Sequence, residues 1–193
     1  RLAWIARAKM ARPELIDVSL ADVEPGGAGE PNRHGMPVTP PGQHVVENWP
    51  VLDMGDQPQI NAADWRLEIC GDVADPVVLS FSDLMSLPQV EIPADFHCVT
   101  TWSRLDMTWS GVSFAALCEL VIPNSSAAYV LTTGSDRAPG SGVPYTTNLT
   151  LDKALAPDVI LAHSADGVPL SREHGGPVRM ITPRLYAWKG AKW

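Results

Sequence analysis

Residues 95–112 read DFHCVTTWSRLDMTWSGV, and the rest of the chain is arranged around them. One cysteine, Cys98, stands among His97, Thr100, Thr101, Trp102, Arg104, Asp106 and Trp109. Only Val99, Leu105, Met107 and Val112 are aliphatic, whereas ordinary core strands and helices favour aliphatic residues. A thiol set among hydrogen-bond donors and rigid aromatics reads as a ligand or nucleophile in a shaped pocket. The remaining chain reads as a scaffold holding this stretch against a second one, HGGPVRMITPRLYAWKGAKW, residues 174–193.

Working outward, Val90 and Ile92 lead an extended segment into Cys98. Before them Ser80 and Asp83 form a capping-box pattern, followed by Leu84, Met85 and Leu87 and stopped by Pro88. Trp65, Leu67 and Ile69 alternate with Arg66, Glu68 and Cys70, the period of a half-buried strand. On the other side Ser113 caps a helix bearing Phe114, Leu117, Leu120 and Val121. Strands are expected over 129–133, 145–149, 159–163 and 177–182, with a long loop over 134–144, a helical turn over 150–156 and a tight turn at 165–167. Residues 24–43 are rich in proline and glycine and read as an extended arm or loop. A short helix is expected over residues 1–15. Many short strands with few short helices give an α+β, β-rich fold, with an N-terminal arm over 1–43 and one domain over 44–193.

Composition narrows the function. The 193 residues suit one domain with an arm, 45% of them are hydrophobic, and no apolar run is long enough to span a bilayer. A net charge of −8 argues against nucleic acid as partner. Three irregularly spaced cysteines make neither a disulfide framework nor a paired zinc motif, so a reducing, cytoplasmic location is the simpler expectation. No strand runs into a glycine-rich turn and long helix, which argues against a dinucleotide site.

Of the cysteines, Cys118 on the apolar side of a helix and Cys70 opposite a strand's apolar face read as structural. Cys98 does not, because its neighbours are polar and aromatic. A Cys98–His97 pair is geometrically poor, since adjacent side chains of an extended segment point to opposite faces; His163 and His174 stay open as partners. In the second stretch, Gly175 and Gly176 are expected to leave backbone N–H groups open to a ligand. Arg179, Arg184, Lys189 and Lys192 supply positive charge in an acidic chain. Taken singly each is an ordinary solvated residue; taken together with Trp188, which is either core or a stacking surface, they suit an anionic, planar ligand.

The two stretches, FHCVTTWSRLDMTWSGVSFAAL and HGGPVRMITPRLYAWKGAKW, resemble the sulfite-oxidase-like molybdopterin oxidoreductases, above all prokaryotic single-domain members related to the methionine-sulfoxide reductase catalytic subunit. The resemblance runs from about Pro40 to the end and takes in PPGQ, WRLEICGDV and LSFSDLMSLP. It implies a molybdenum–molybdopterin cofactor with Cys98 as the protein's thiolate on the metal, a soft ligand for a soft centre. It further implies cofactor contacts from His174, Arg179, Lys189, Gly190, Ala191 and Lys192, from Gly134, and more loosely from Trp49 and Asp53. Arg104 and Asp106 are expected at the substrate. An arginine pair that eukaryotic sulfite oxidases carry shortly after their cysteine is replaced here by residues 100–103, TTWS, with only Arg104 basic. Sulfite is therefore doubtful, and Trp102 and Trp109 are expected as flat walls for an organic oxo donor or acceptor. A separate electron-transfer partner is implied. Family members usually run past this chain's end, so truncation at Trp193 stays open. The alternatives are a metal-free thiol enzyme using Cys98, and a binding module that keeps the fold without catalysis.

Overall fold

The structure, a computed structural model, describes residues 26–55 and 57–193. The helix expected over residues 1–15 lies outside them. Fourteen β-strands and three α-helices form the described part. The central antiparallel sheet runs β13–β12–β9–β6, with β14 also on β12. Its strands are β6 (Gln89–Pro93), β9 (Thr108–Ser113), β12 (Ile160–Ala165), β13 (Val168–Pro169) and β14 (Arg179–Ile181). A second sheet orders β3 (His44–Val45), β8 (Trp102–Arg104) and β7 (Phe96–Cys98), with β3 parallel to β8. Three hairpins complete the described part: β1 (Ala28–Pro31) with β2 (Pro37–Thr39), β4 (Arg66–Ile69) with β5 (Val77–Ser80), and β10 (Tyr129–Arg137) with β11 (Pro144–Thr150). The expected α+β, strand-rich architecture is the one observed.

The local signals act as the residues dictate. Ser80 caps α1 (Phe81–Ser86): its hydroxyl accepts from the Asp83 N–H, and the Asp83 carboxylate accepts from the Ser80 N–H. Ser113 caps α2 (Phe114–Val121), which buries Leu117 and Val121. A last short helix, α3 (Leu151–Ala154), follows β11. Along β4 the even positions are exposed and Trp65 is buried.

Two expectations change. Residues 26–43 are not a plain extended arm. Asn32 Oδ1 accepts from the N–H groups of His34 and Met36, closing the β1–β2 hairpin, and Arg33 and His34 anchor it on buried Asp158 at 3.3 and 3.0 Å. Nor is 134–144 all loop. Strand β10 continues to Arg137 because the C-terminus runs beside it: the Ser135 N–H donates to Lys192 O at 3.3 Å and the Ser135 hydroxyl to Trp193 O at 2.9 Å. Local sequence holds no trace of a partner nearly sixty residues away.

Two apolar clusters, one on each side of the central sheet's β9 and β12, make up the core. The first holds Phe96, Cys98, Trp102, Met107 and Trp109, so the stretch read as a pocket is also core. It packs directly under the cleft described next.

Candidate active site

Cys98 ends β7 in an open cleft lined also by Trp49, Phe96, Trp102, Asp136 and Tyr145 and by Glu173, His174, Arg179, Trp188, Gly190 and Lys192. Only 4% of Cys98 is exposed, and its Sγ lies 3.1 Å from Thr100 Oγ1. Burial pushes the thiol up from its ordinary value, while the Thr100 hydrogen bonds and the charges of Arg179 and Lys192 pull it down. A buried thiol held neutral is a poor free nucleophile, but it gives up its proton readily to a metal.

No histidine bonds to that thiol. His97 points to the other face of β7, with Nδ1 2.8 Å from Ser103 Oγ. His163 is engaged with Ser164 and Gln89. His174 Nε2–H donates to Trp49 O at 3.0 Å, so its Nδ1 accepts from the Ser171 hydroxyl at 2.9 Å. Burial keeps the His174 pKa below its ordinary value. The Cys–His pairs left open by the sequence are not formed.

Arg179 stands on β14 with its guanidinium 4.8 Å over the Phe96 ring and Nη1 donating to His174 O at 2.9 Å. Burial lowers its pKa to about 10, so it stays charged at neutral pH. Lys192 Nζ donates to Leu52 O at 2.8 Å and Glu173 O at 3.2 Å. Trp49 stacks on His174, centroids 3.8 Å apart at 18°. Three buried polar atoms on cleft residues have no hydrogen-bond partner among the described residues: the donors Trp102 Nε1 and Arg179 Nε, and the acceptor Asp136 Oδ1. Buried polar groups are nearly always satisfied. Orphaned donors and an acceptor, a soft sulfur and two cations around one cleft fit a pterin phosphate bearing a thiophilic metal. Among the described residues no three His, Cys, Asp or Glu side chains cluster to hold a metal.

A model of the oxidoreductase molybdopterin-binding domain matches residues 54–193. This chain belongs to that family. It is 41% identical over 155 residues to the uncharacterized oxidoreductase YuiH of Bacillus subtilis, covering 80% of this chain and 75% of that protein. It is 31% identical over 142 residues to the protein-methionine-sulfoxide reductase catalytic subunit MsrP of Campylobacter jejuni, covering 68% of this chain and 48% of that one. Among solved structures, the sulfane dehydrogenase SoxCD of Paracoccus pantotrophus shares the fold, with a TM-score of 0.61 at 24% identity over 71% of this chain and 38% of that one. The chain is thus an oxidoreductase of the molybdopterin-binding, sulfite-oxidase-like family. Among the described residues no helix is long and apolar enough to cross a membrane.

The cleft takes in some of the residues that the sequence singles out and leaves out others. Cys98, Trp49, Asp53, His174, Arg179, Gly190 and Lys192 all reach the cleft. Gly134, Ala191 and Lys189 do not. A Cβ on Gly134 would come within 2.7 Å of Lys192 O, so this glycine lets the C-terminal segment pass close by. Ala191 is buried and its carbonyl accepts from the Met180 N–H. Lys189 instead donates to the backbone and side-chain oxygens of Asn148 at 3.0 and 3.1 Å. The amides of Gly175 and Gly176 are not open: they donate to Arg172 O and Ser171 O. A Cβ on Gly176 would fall 2.1 Å from Leu170 O, so close packing is its reason.

Neither residue expected at the substrate lines the cleft. Arg104 pairs with Asp166 in the β12–β13 turn at 2.8 Å and lies 5.5 Å over the Trp49 ring. Asp106 is exposed at a left-handed turn, φ 56°, where the chain folds back from β8 to β9; its N–H donates to Asp95. Trp109 is wholly buried and gives its indole N–H to Ala94 O, so it is core. Asp136 and Tyr145 do line the cleft, but one falls in an expected loop and the other in an ordinary strand, so nothing in the local sequence marks them. The Tyr145 hydroxyl donates to Trp188 O, joining two walls of the mouth.

Proposed function

We propose that residues 44–193 hold a molybdenum–pterin cofactor with Cys98 as the protein's thiolate ligand, and that the chain carries out oxygen-atom transfer on a sulfoxide-like organic substrate. Residues 26–43 then serve as an anchored arm. The observation that carries the reading is the meeting in one cleft of Cys98, the Lys192 ammonium, and the Trp102 Nε1 and Arg179 Nε donors, which have no partner among the described residues. The chemistry the cofactor supplies is two-electron oxygen-atom exchange at molybdenum.

The chain's own residues bind and orient. Arg179 and Lys192 offer charge-assisted hydrogen bonds to the phosphate end. His174, fixed as the Nε2–H tautomer by Trp49 O, stacks with Trp49 into a flat wall. Asp136 and Trp102 offer an acceptor and a donor to the pterin edge. Phe96 and the aliphatic stems under the cleft keep water from the thiol. A small dianion such as sulfite needs several converging cations to offset its desolvation. Arg104 is tied to Asp166 outside the cleft, and Arg179 and Lys192 serve the cofactor. The aromatic mouth formed by Trp49, Tyr145 and Trp188 favours a neutral organic sulfoxide, in keeping with the methionine-sulfoxide reductase named among the relatives. Electrons come from a separate partner protein.

Elemental analysis of the full chain, purified from a host that makes the cofactor, tests this. One molybdenum per chain is expected, with oxygen-transfer turnover lost in Cys98→Ser, where a hard hydroxyl replaces the soft thiolate, and kept in Cys118→Ser, where a partly buried thiol away from the cleft changes. No molybdenum in the folded wild-type chain, or equal loss in both variants at equal stability, refutes it.

A further inference from the structure

The cleft wall on the N-terminal side is a strap, residues 49–54, without regular secondary structure. Its two ends differ. Trp49 is locked in place, stacked on His174 and edge-on to Phe96 at 5.6 Å and Trp109 at 5.4 Å. At the other end Gly55 is exposed with φ +115°, a conformation that side chains oppose. Just before it, Asp53 ties the strap to the chain beyond: Oδ1 accepts from the Gly55 N–H at 2.9 Å and Oδ2 from Gln57 Nε2 at 2.7 Å. Between the two ends the strap is held across the cleft by Lys192 Nζ on Leu52 O, a contact spanning 140 residues.

We propose that residues 50–54 are a hinged gate over the cleft, pivoting at Trp49 and Gly55 and latched by Lys192, and that this gate sets how fast a pterin cofactor enters and leaves. The inference rests on the cofactor reading above. The latch is a side chain on a backbone carbonyl and not a strand ladder, so opening it unpairs no sheet and costs that contact and the packing of Leu52 on the apolar cluster beneath; segments that gate sites are drawn from openings that leave the sheets intact. Lys192 also serves the anionic end of the ligand, so phosphate binding and strap closure act through one ammonium. Gate and plain wall differ in kinetics. A wall that only touches the ligand slows departure. A gate slows arrival and departure together, because both pass through the same open state.

Gln57 and Val51 do not line the cleft. Gln57→Leu removes the outer anchor of Asp53, and Val51→Gly adds backbone freedom inside the strap. Full chains made without cofactor are mixed with molybdenum-loaded pterin released from a donor protein, and the metal retained after desalting is followed in time for uptake and for release. In both variants uptake and release are expected to quicken together by about three- to tenfold, with final occupancy nearly unchanged. Hydrogen exchange at residues 51–54 of the cofactor-free variants is expected to quicken as well. Faster release with unchanged uptake makes the strap a wall and overturns the gate, as do unchanged rates in both variants. No uptake by the wild-type chain overturns the cofactor reading, and the gate with it.

Discussion

Asp136 offers a sharp test of the cleft's electrostatics. It sits on β10 with 4% exposure, and its Oδ1 has no hydrogen-bond partner among the described residues. Burial raises its pKa from 3.8 to about 6; Lys192 opposes the shift and Asp53 adds to it. A carboxyl whose pKa is raised by folding binds more protons in the native state than in the unfolded one between those values. Stability therefore falls as pH rises from about 4 to about 6, and the full penalty persists above that. Two pH units at 1.36 kcal/mol each put the penalty at roughly 3 kcal/mol. Asp136→Asn removes the charge at nearly constant shape. The cofactor-free variant is expected to be more stable than wild type by roughly that amount at pH 7.5, or roughly 6–12 °C in Tm for a chain of this size. Near pH 4.5 the native carboxyl is mostly protonated, and the gain should shrink to roughly a third. Thermal melts of both proteins at the two pH values decide the matter. A gain that does not change with pH, or a variant that melts lower at pH 7.5, refutes the assignment of a buried, penalised carboxylate.

Arg179 is buried at 5% exposure, and among the described residues no carboxylate pairs with it. Replacing an uncompensated buried charge by an apolar side chain of similar length is often neutral or better for stability. Arg179→Met should therefore keep the cofactor-free chain within about 1 kcal/mol of wild type in urea melts while cutting molybdenum retention about tenfold or more; a stable variant that retains the metal fully would remove Arg179 from the cofactor's cradle. Arg104 and Asp166 are both partly exposed, so their pair is worth about 1 kcal/mol at most. Arg104→Met should leave kcat/KM for methyl sulfoxides within about threefold of wild type, and a large sulfite activity that collapses in this variant would show that Arg104 faces the substrate.

Much of the fold is written locally. The Ser80–Asp83 box, the Ser113 cap and the alternation from Trp65 to Cys70 each depend on residues within one helical turn or one strand, and each forms as read. The family, too, is legible, because the Cys98 and His174–Trp193 stretches carry it unbroken. The central stretch was harder. All three residues of β7 are buried, so it shows no alternation, and its strands are too short for a period to emerge.

What the sequence by itself determined is which residues bear chemistry: a soft thiol, a few cations in an acidic chain, and a cluster of aromatics. Which of them act together was decided only by tertiary structure. Sequence spacing cannot tell that Arg179 and Lys192 reach Cys98 while Arg104, six residues from it, turns away to Asp166. Nor can it tell that a Cβ on Gly134, Gly176 or Gly190 would run into the backbone of a distant segment. A hydrogen bond or a close approach costs or gains free energy by distance in space. Chain neighbours fix that distance inside a helix or hairpin, but across a cleft it is fixed by how whole sheets pack.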